Sequence, residues 1–428
     1  MALATIRRVT EEGGYSNLVL AAELGRSRLS ARDRRLAADL ALGTLRRLLV
    51  VDAAIAAVAD RPLDQIDPPA LAVLRLGAYQ LQFTRIPDHA AVSSAVELAP
   101  RRSKGFVNAL LRRLAAAPHP QPAGDEDEAV SARTGLAPWA VAELRRVLPS
   151  GEVEEAAAAL ARPADLTLRA NTCRVSKENL DEELRRAGYE PVPGRHHPDV
   201  LRVPSAVPAL LPGFAQGWFA IQDEASVLVA AAVEATPGEA VLDACAGPGG
   251  KATHLACMVR PGRVVAADLR PKRVGLVQAA ARRMGVTLDV LAQDAARPAL
   301  GRTFDAVLVD APCSGLGAAR RRPELLWRPS RSSLAGLARL QVAIMVGSAD
   351  LVRPGGRLVY SVCTFPRAET DAAVRAFLAK RPDFEPLPVP GIDGRAPAHR
   401  LWPHRDGTDA MFYAGFRRLG EGDTIRPI

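Results

Sequence analysis

The stretch VLDACAGPGGKATHLA, from Val241 to Ala256, decides the fold of the C-terminal half of this chain. It begins with apolar residues that end in an acid, continues through a glycine-rich turn, and ends with the apolar spacing of a helix. Gly247, Gly249 and Gly250 permit backbone conformations and close approaches that are denied to other residues. A strand, a glycine-rich turn and a helix in this order predict the start of a ligand-binding α/β domain.

The alternation of strand and helix continues towards the end of the chain. Apolar strands are predicted in GRVVAADL, VTLDVLAQD, FDAVLVDAP and GGRLVYSVCT, and DGTDAMFYAGFRR predicts a final strand that completes the sheet. Short apolar strands that alternate with helices predict a parallel sheet covered on both faces. Such sheets bind their ligands at the carboxyl ends of the strands. We therefore expect a Rossmann-like α/β domain over residues 231–420, with its site at that edge.

Two acids follow the glycine-rich turn at the ends of successive strands. Asp268 ends the next strand, where a carboxylate can accept hydrogen bonds from both hydroxyls of a ribose. Asp294 ends the third strand, where it could read the amino group of an adenine. A glycine-rich turn, an acid placed to bind a ribose and an acid placed to bind an adenine follow three successive strands. This order indicates S-adenosylmethionine as the cofactor.

Two further strands end near a cysteine. FDAVLVDAPCSGLG contains Cys313, and GGRLVYSVCTFP contains Cys363. Carbon 5 of a pyrimidine is not nucleophilic by itself, so its methylation needs a thiolate that adds to carbon 6. The proton on carbon 5 must then leave, and the thiolate must be eliminated. Two cysteines at neighbouring strand ends could divide addition and elimination between them.

Three segments resemble the signature segments of RNA 5-methylcytosine methyltransferases of the RsmB (Sun/Fmu) group: DACAGPGGK, VDAPCSGLGAARRRPELLWR and LVYSVCTFPRAET. The resemblance implies that Cys363 is the nucleophile and that Cys313 assists release of the methylated product. It also implies that Asp310 contacts the cytosine ring. We expect Lys251 to support the active site as a further catalytic residue; the alternative is an ordinary lysine at the start of a helix. The S-adenosylmethionine-binding residues that we assign with it are Cys245, Ala246, Gly247, Pro248, Gly249, Gly250, Lys251, Asp268, Arg273, Asp294 and Asp310.

One alternative concerns which cysteine attacks. Pro312 and Cys313 also resemble the nucleophile motif of DNA cytosine methyltransferases, and by that analogy Cys313 would be the attacking residue. The order of the three segments favours the RNA family and therefore Cys363. The upstream segments LRANT and IQDEAS are similar to segments of the same family; they contain Arg169, Asn171, Gln222 and Asp223.

The N-terminal third has helical apolar spacing throughout, and no run in it alternates like a strand. LRLGAYQL, HAAVSSAVELA and KGFVNALLRRLA resemble a NusB-like RNA-binding domain, which we assign to residues 1–118 as an all-α bundle. The net charge of the chain is +9, and residues 1–120 contain 17 Lys and Arg against 11 Asp and Glu, which is compatible with a polyanionic partner.

A stretch rich in proline and acids predicts a linker over residues 119–132. The residues after it, 133–230, predict a small mixed α/β subdomain that also binds RNA.

The cysteine spacing, the lengths of the apolar runs and one arginine-rich run give further expectations about metal sites, disulfides, membrane spans and phosphate contacts. No cysteine pair has C-x-x-C spacing, so we expect no metal site, and we expect Cys173 and Cys257 to be reduced, buried residues outside any disulfide. No run of 18 apolar residues predicts a membrane span, and we expect a cytoplasmic monomer. The run RRRPELLWR, residues 320–328, follows the Cys313 loop and is a candidate for contacts with phosphates.

The multi-domain chain is thus expected to methylate carbon 5 of a cytosine, either in 16S rRNA or in a small-subunit assembly intermediate. One alternative is the same reaction on tRNA or at another rRNA site. Another is a non-catalytic RNA-binding assembly factor with a decayed methyltransferase domain. The presence of Cys313, Cys363, Asp268 and Asp310 argues against such decay.

Overall fold

The computed structural model describes residues 1–116, 122–204 and 206–420, and the chain divides into two compact units. Unit 1 comprises Met1–Pro163 and Ala318–Arg331, and unit 2 comprises Ala164–Gly317 and Ser332–Ile428. Residues 119–121 of the predicted linker lie outside the described part of the chain. Each unit has its own hydrophobic core.

The regular elements of unit 1 are helical in its described residues. They are α1 (Ala2–Thr10), α2 (Ser16–Gly25), α3 (Ala31–Arg46), α4 (Leu48–Val58), α5 (Pro68–Phe83), α6 (Asp88–Leu98), α7 (Lys104–Ala116), α8 (Asp127–Thr134), α9 (Pro138–Arg145) and α10 (Val153–Leu160). The Ser30 hydroxyl caps α3 by accepting from the backbone N–H of Asp33 at 3.2 Å. Proline is tolerated at the first position of a helix, which is where Pro68 stands in α5. The all-α prediction for this part of the chain is confirmed.

The core of unit 1 is built around α5. Leu74 and Ala78 of this helix are fully buried, and Leu110 and Leu111 of α7 are nearly so. A helix that is apolar nearly all round is expected at the centre of a bundle rather than on its surface. Helix α5 is therefore the central helix of the bundle, and α4, α6 and α7 pack against it.

Two sequence predictions need correction in unit 1. Residues 127–132 of the predicted linker belong to helix α8, in which Val130 is fully buried, so the linker is shorter than expected. The run expected to contact phosphates packs into the helical unit instead. The Arg328 guanidinium donates to the backbone carbonyls of Val9 and Gly14, both at 2.8 Å, and the Trp327 indole N–H donates to the Leu45 carbonyl at 2.9 Å. For Arg328 the phosphate prediction was therefore wrong.

Unit 2 begins with a small antiparallel sheet. Its elements are β1 (Leu166–Ala170), α11 (Lys177–Arg186), β2 (Val192–Pro193), β3 (Val200–Val203) and β4 (Phe219–Ile221), and α12 (Glu224–Ala232) follows. The strand order is β2-β3-β1-β4. The Ser176 hydroxyl caps α11 by accepting from the Asn179 N–H at 3.2 Å, as the predicted serine-capped helix requires. The mixed α/β character expected here is confirmed for residues 164–232.

A large sheet and its covering helices form the rest of unit 2. The elements are β5 (Ala240–Asp243), α13 (Gly250–Met258), β6 (Arg263–Asp268), α14 (Pro271–Met284), β7 (Asp289–Ala292), β8 (Phe304–Asp310), α15 (Arg331–Ala349), β9 (Val352–Val362), α16 (Asp371–Lys380), β10 (Phe384–Leu387), β11 (Val389–Gly391), β12 (Gly394–Ala396), β13 (Ala398–Leu401) and β14 (Met411–Arg418). The sheet has the order β10-β14-β9-β8-β5-β6-β7, β13 pairs with β14, and β11 and β12 form a separate hairpin. Strands β5 to β9 are parallel, and β14 adds antiparallel to β9. The Rossmann-like sheet and its final strand were predicted correctly.

Helix α15 is, among the described helices, the one long and apolar enough to cross a membrane by length and composition. Its Val342, Met345 and Ala349 side chains are buried in the same core as Val307 of the central strand β8. A buried core helix is apolar for the same reason as a spanning helix, because both avoid water. In this fold α15 covers the sheet.

The prediction for Cys173 and Cys257 was wrong. Cys173 follows β1 and Cys257 lies in α13, and the two are joined by a disulfide with their Cα atoms 5.7 Å apart. They are separated by 84 residues in the sequence, so no local spacing indicates the pairing. The bond links the small sheet to the helix that follows the glycine-rich turn.

Candidate active site

The glycine-rich turn lies between β5 and α13 at the carboxyl edge of the sheet. Gly249 has φ +110°, a left-handed conformation that glycine adopts without strain, and it allows α13 to start directly after the turn. The Gly247 N–H donates to Asp268 Oδ2 at 3.1 Å, and the Arg270 N–H donates to Asp268 Oδ1 at 3.0 Å. The Arg273 guanidinium forms an ion pair with the same carboxylate at 3.0 Å. The end of β6 is thus tied to the turn through Asp268.

A second buried acid faces this turn. Asp243 ends β5 and is 1% exposed, and neither of its carboxylate oxygens has a hydrogen-bond partner among the described residues. Burial, and next the nearby charge of Asp310, raise the pKa of Asp243 to about 7. The unpartnered oxygens mark a position where a bound donor group would be stabilised. Asp294, which follows β7, is by contrast exposed, and its Oδ1 accepts from the Ala296 N–H at 2.9 Å.

Asp310 and Lys251 form a partly buried ion pair at the centre of the sheet edge. Lys251 Nζ donates to Asp310 Oδ2 at 2.7 Å, and the Ser361 hydroxyl donates to Asp310 Oδ1 at 2.8 Å. Burial lowers the pKa of Lys251, but the charge and hydrogen bond of Asp310 outweigh it and raise the pKa overall. Lys251 therefore stays protonated, and its positive charge is held in place beside the strand ends.

The two predicted catalytic cysteines meet at this point. Cys313 follows β8 and Cys363 follows β9, and their Sγ atoms lie 3.4 Å apart. The hydrogen bond from Cys313 lowers the pKa of Cys363, with a further contribution from Lys251, and burial opposes both. The same hydrogen bond and burial raise the pKa of Cys313. Either sulfur could donate in this contact, but the positive charge of Lys251 lowers the pKa of Cys363, whereas the negative charge of Glu369 raises the pKa of Cys313. These charges favour a thiolate on Cys363 and a thiol on Cys313.

The upstream residues Arg169 and Asn171 connect the small sheet to the glycine-rich turn. Arg169 is 1% exposed, and its guanidinium donates to Gln222 Oε1 at 3.0 Å and to the Thr253 hydroxyl at 3.3 Å. The Asn171 amide donates to the carbonyl of Met284, at the end of α14, at 2.8 Å. These side chains hold α13 and α14 against the small sheet.

Comparisons with known proteins agree with this arrangement. The sequence matches the 16S rRNA methyltransferase RsmB/F family over residues 230–417, the NusB family over residues 1–116, and the Methyltr_RsmF/B-like ferredoxin-like domain over residues 137–209. Ribosomal RNA small subunit methyltransferase B of Pseudomonas syringae is 35% identical over 92% of this chain and 92% of its own length. The Klebsiella pneumoniae protein of the same name is 32% identical over 97% and 96%. The chain belongs to the RsmB/F family.

Solved structures show the same fold. The crystal structure of PH0851 covers 97% of this chain and 98% of its own, with a TM-score of 0.84 and 25% identity. NSun6 from Pyrococcus horikoshii, solved with SFG, covers 65% of this chain with a TM-score of 0.59 and 21% identity, which is a likeness of fold. This member of the RsmB/F family is accordingly an S-adenosylmethionine-dependent RNA methyltransferase.

The fold brings most of the predicted site residues of this RsmB/F chain to one edge. The turn residues 245–251, with Asp268 and Arg273, form one group at the ends of β5 and β6. Asp310, Cys313 and Cys363 form a second group, and Lys251 joins the two through its bond to Asp310. Asp294 lies at the end of β7, on the outer side of the first group. The roles of these residues remain predictions.

Two functional candidates were missed in the sequence. Asp243 carries the same signal as Asp268 and Asp310, an acid at the end of an apolar strand, and that signal could have identified it. Glu369 lies six residues after Cys363, in a short turn, and is fully buried. Glu369 lies within the segment LVYSVCTFPRAET, but its residue type and spacing do not separate it from an exposed acid, so its tertiary contacts reveal it.

A group of possible metal ligands lies away from the cysteines. His197, Asp199 and His254 present ligand atoms within 4.8 Å of one another. Burial lowers the pKa of both histidines, so the imidazoles stay neutral. The positive charge of Arg169 is the next cause at His254, whereas at His197 the charges of Asp199 and Glu224 partly oppose the shift. The same buried guanidinium opposes a cation, and we assign no metal to this group. His197 is half-buried, and His254, which lies in α13, is buried.

Proposed function

We propose that this enzyme methylates carbon 5 of a cytosine in 16S rRNA through a covalent bond between Cys363 and carbon 6 of the ring. The observation that carries the proposal is the 3.4 Å separation of the Cys313 and Cys363 sulfurs, beside the Lys251–Asp310 pair. Transfer to an exocyclic nitrogen needs no cysteine, whereas transfer to carbon 5 needs a nucleophile and a group that releases it. Two thiols with opposite pKa shifts suit those two tasks.

The residues at the glycine-rich turn fit S-adenosylmethionine. The chemistry of the donor set supports this: the buried carboxylate of Asp243 has unpartnered oxygens, and Asp268 is fixed beside Gly247. We propose that residues 245–251, Asp268, Arg273, Asp294 and Asp310 hold the cofactor. When bound, the cofactor supplies an electrophilic methyl group.

The addition step is assigned to Cys363. Its thiolate forms a bond to carbon 6 of the cytosine, and the electrons of the carbon 5–carbon 6 double bond move into the ring and make carbon 5 nucleophilic. Asp310, held by Lys251 and Ser361, is placed to contact the cytosine ring by accepting from its exocyclic amino group. The positive charge of Lys251 can stabilise the negative charge that develops on the ring. The Lys251 charge supports the thiolate before attack.

The release step is assigned to Cys313. After methylation, a base takes the proton from carbon 5, and the electrons of that carbon–hydrogen bond re-form the double bond between carbon 5 and carbon 6. The bond between Cys363 and carbon 6 then breaks, which restores the aromatic ring. The departing sulfur leaves as a thiolate, and the neighbouring Cys313 thiol can stabilise it by donating a hydrogen bond at the observed distance. The positive charge of Lys251, which acts on Cys363, supports Cys363 as the attacking residue rather than Cys313.

An RNA partner is supported by an arginine cluster on unit 1. Arg26, Arg28, Arg32 and Arg35 lie between the end of α2 and the first turns of α3, and all four are exposed. Among the ion pairs of the described residues none involves these four arginines. Unpaired, clustered guanidinium groups are what phosphate contacts require. Together with the names of the relatives, they favour small-subunit rRNA as the substrate and a cytoplasmic location.

The test uses 16S rRNA, radiolabelled S-adenosylmethionine, and the wild type beside Cys363→Ala and Cys313→Ala. We expect the wild type to form 5-methylcytosine, Cys363→Ala to lose both methyl transfer and a denaturation-resistant protein–RNA adduct, and Cys313→Ala to retain an adduct that does not resolve. If Cys313→Ala were the variant that cannot form an adduct, the two roles would be reversed.

The same assay separates the alternatives in substrate. Transfer to tRNA but not to 16S rRNA would retain the chemistry and change the target. Absence of transfer to any RNA, in protein that binds S-adenosylmethionine, would favour a non-catalytic assembly factor.

A further inference from the structure

A buried carboxylate ties the two cysteine-bearing segments together. Glu369 lies in the turn after β9, six residues beyond Cys363, and is fully buried. Its Oε1 accepts from the Ser314 backbone N–H at 2.9 Å and from the Gln341 amide at 2.9 Å, and its Oε2 accepts from the Ser314 hydroxyl at 2.6 Å. Two of these three donors belong to the residue directly after Cys313.

The segment around Cys313 has further ties to the same place. The Gln341 amide also donates to the Pro312 carbonyl at 2.9 Å, so it fixes the residue directly before Cys313. The hydroxyls of Ser314 and Thr364, the residues directly after the two cysteines, lie 2.7 Å apart. The Tyr360 hydroxyl donates to the Glu369 carbonyl at 2.7 Å and anchors the turn to β9. The network therefore fixes the backbone on either side of Cys313 relative to Cys363.

A buried carboxylate is costly unless hydrogen bonds compensate the loss of its hydration. Packing alone could have been achieved with an apolar residue at position 369. The Glu369 carboxylate instead accepts from Ser314, in the loop that carries Cys313. Glu369 itself lies on the segment that carries Cys363. That arrangement makes the distance between the sulfurs depend on Glu369.

We propose that Glu369 is a positioning residue that holds Cys313 against Cys363 and thereby sets the rate at which the covalent adduct is released. The inference rests on the proposed function, since release has meaning only if the adduct forms. Addition depends on Cys363, Lys251 and Asp310, none of which Glu369 contacts through the bonds above. Loss of Glu369 should therefore slow release far more than addition.

The negative charge of Glu369 has a second effect on the same thiol. It contributes to the raised pKa of Cys313, after the hydrogen bond to Cys363, burial and the charge of Cys363. Cys313 is thereby kept as a thiol that can donate to the departing sulfur.

The experiment compares Glu369→Ala and Glu369→Gln with the wild type, and follows adduct formation and adduct release separately. A glutamine can accept from the Ser314 N–H and from Gln341 with its oxygen and donate to the Ser314 hydroxyl with its nitrogen, so it preserves the geometry. We expect Glu369→Ala to form the adduct within about threefold of the wild-type rate and to release it about 10- to 100-fold more slowly, the scale of a misplaced catalytic group. Glu369→Gln should release it within about fivefold of wild type.

Two controls keep the result interpretable. Glu385 lies on strand β10 and pairs with Arg417 of β14, and Glu385→Ala should leave both rates unchanged. Ser314→Ala removes only a hydroxyl, keeps the backbone bond to Glu369, and should slow release to an intermediate degree. If Glu369→Ala does not fold, as judged by thermal melting and S-adenosylmethionine binding, Ser314→Ala decides the question.

The outcomes separate this inference from the proposed function. If the wild type methylates RNA but no adduct exists in any variant, the proposed mechanism fails and the role of Glu369 fails with it. If the wild-type adduct forms and Glu369→Ala releases it at the normal rate, only the role of Glu369 is overturned. Equal loss of addition and release in a folded Glu369→Ala, or equal damage by alanine and glutamine, would overturn it as well.

Discussion

Lys251 Nζ lies 2.7 Å from Asp310 Oδ2, and this contact joins the glycine-rich turn to the strand that leads to Cys313. The two residues are 59 positions apart in the chain and come from α13 and β8. Lys251 is buried and Asp310 is partly buried, so the lysine charge is poorly screened and acts on the nearby Cys363 thiol. One ion pair thus connects the cofactor side of the site to its nucleophile.

Lys251→Met should raise the pKa of Cys363, because it removes a nearby positive charge. We expect methyl transfer to fall about 100-fold. The rate of Cys363 alkylation by iodoacetamide, measured against pH in Cys313→Ala protein, should shift its midpoint to higher pH. Lys380→Met, at the exposed end of α16, is the control. An unshifted alkylation profile would show that Lys251 does not act on the thiol.

Asp268→Asn should weaken S-adenosylmethionine binding. The carboxylate accepts from the Gly247 and Arg270 N–H groups and pairs with Arg273, and an amide cannot keep all three contacts. Hydrogen bonds to a charged group contribute about 1.5–3 kcal/mol, so we expect a loss of affinity of about 10- to 100-fold by isothermal titration calorimetry. Asp289→Asn, on the exposed face of β7, should bind as the wild type does. Equal affinities of both variants would remove Asp268 from the cofactor site.

Replacing Arg26, Arg28, Arg32 and Arg35 by glutamine should weaken RNA binding and flatten its salt dependence. Each phosphate contact contributes roughly 0.7–0.9 to the slope of log affinity against log salt, so losing four should lower the slope by about 3. Filter binding of 16S rRNA between low and physiological salt measures the slope. Arg7 and Arg113 are already ion-paired, and a control variant with both changed should alter the slope less. An unchanged slope in the fourfold variant would place the RNA surface elsewhere.

The buried Asp243 predicts a specific pH dependence of stability. Its pKa is about 7 in the folded protein, whereas an unfolded aspartate ionises near pH 4. Between these values the folded state binds more protons, so the free energy of unfolding falls as pH rises and levels off above about pH 7. At about 1.4 kcal/mol per pKa unit, the loss is on the order of 4 kcal/mol.

Asp243→Asn should remove this dependence. Chemical denaturation of both proteins without cofactor, at intervals from pH 4 to pH 8, gives the comparison. The difference in free energy of unfolding between variant and wild type should grow in favour of the variant as pH rises. A constant difference across the range would mean that Asp243 ionises normally.

The disulfide between Cys173 and Cys257 predicts the number of reactive thiols. Denatured protein without reductant should bind maleimide at Cys245, Cys313 and Cys363, and at all five cysteines after reduction. Mass spectrometry of the modified protein counts the labels. Cys173→Ser should leave four reactive thiols without reductant, because Cys257 loses its partner. Five labels on unreduced wild type would exclude the bond.

Much of the fold could be predicted because its signals are local. The apolar strand before Gly247, the helical spacing after it, and the repeat of this pattern determine a parallel sheet, since each element must bury one face. Helices α3 and α11 begin after Ser30 and Ser176, and a serine directly before a helix is a local signal for its start. The boundaries at residues 118 and 230 stay predictions, whereas residue 132 lies inside helix α8.

The sequence by itself determined the sheet, its carboxyl edge, and the two cysteines placed at neighbouring strand ends. Only the tertiary structure decided that Lys251 pairs with Asp310, that Glu369 holds Ser314, that Cys173 meets Cys257, and that residues 318–331 pack with unit 1. The physical reason is that propensity and apolar spacing act over a few residues, whereas these contacts join residues tens to hundreds of positions apart. Such contacts depend on strand order and register, which the packing of the whole core selects.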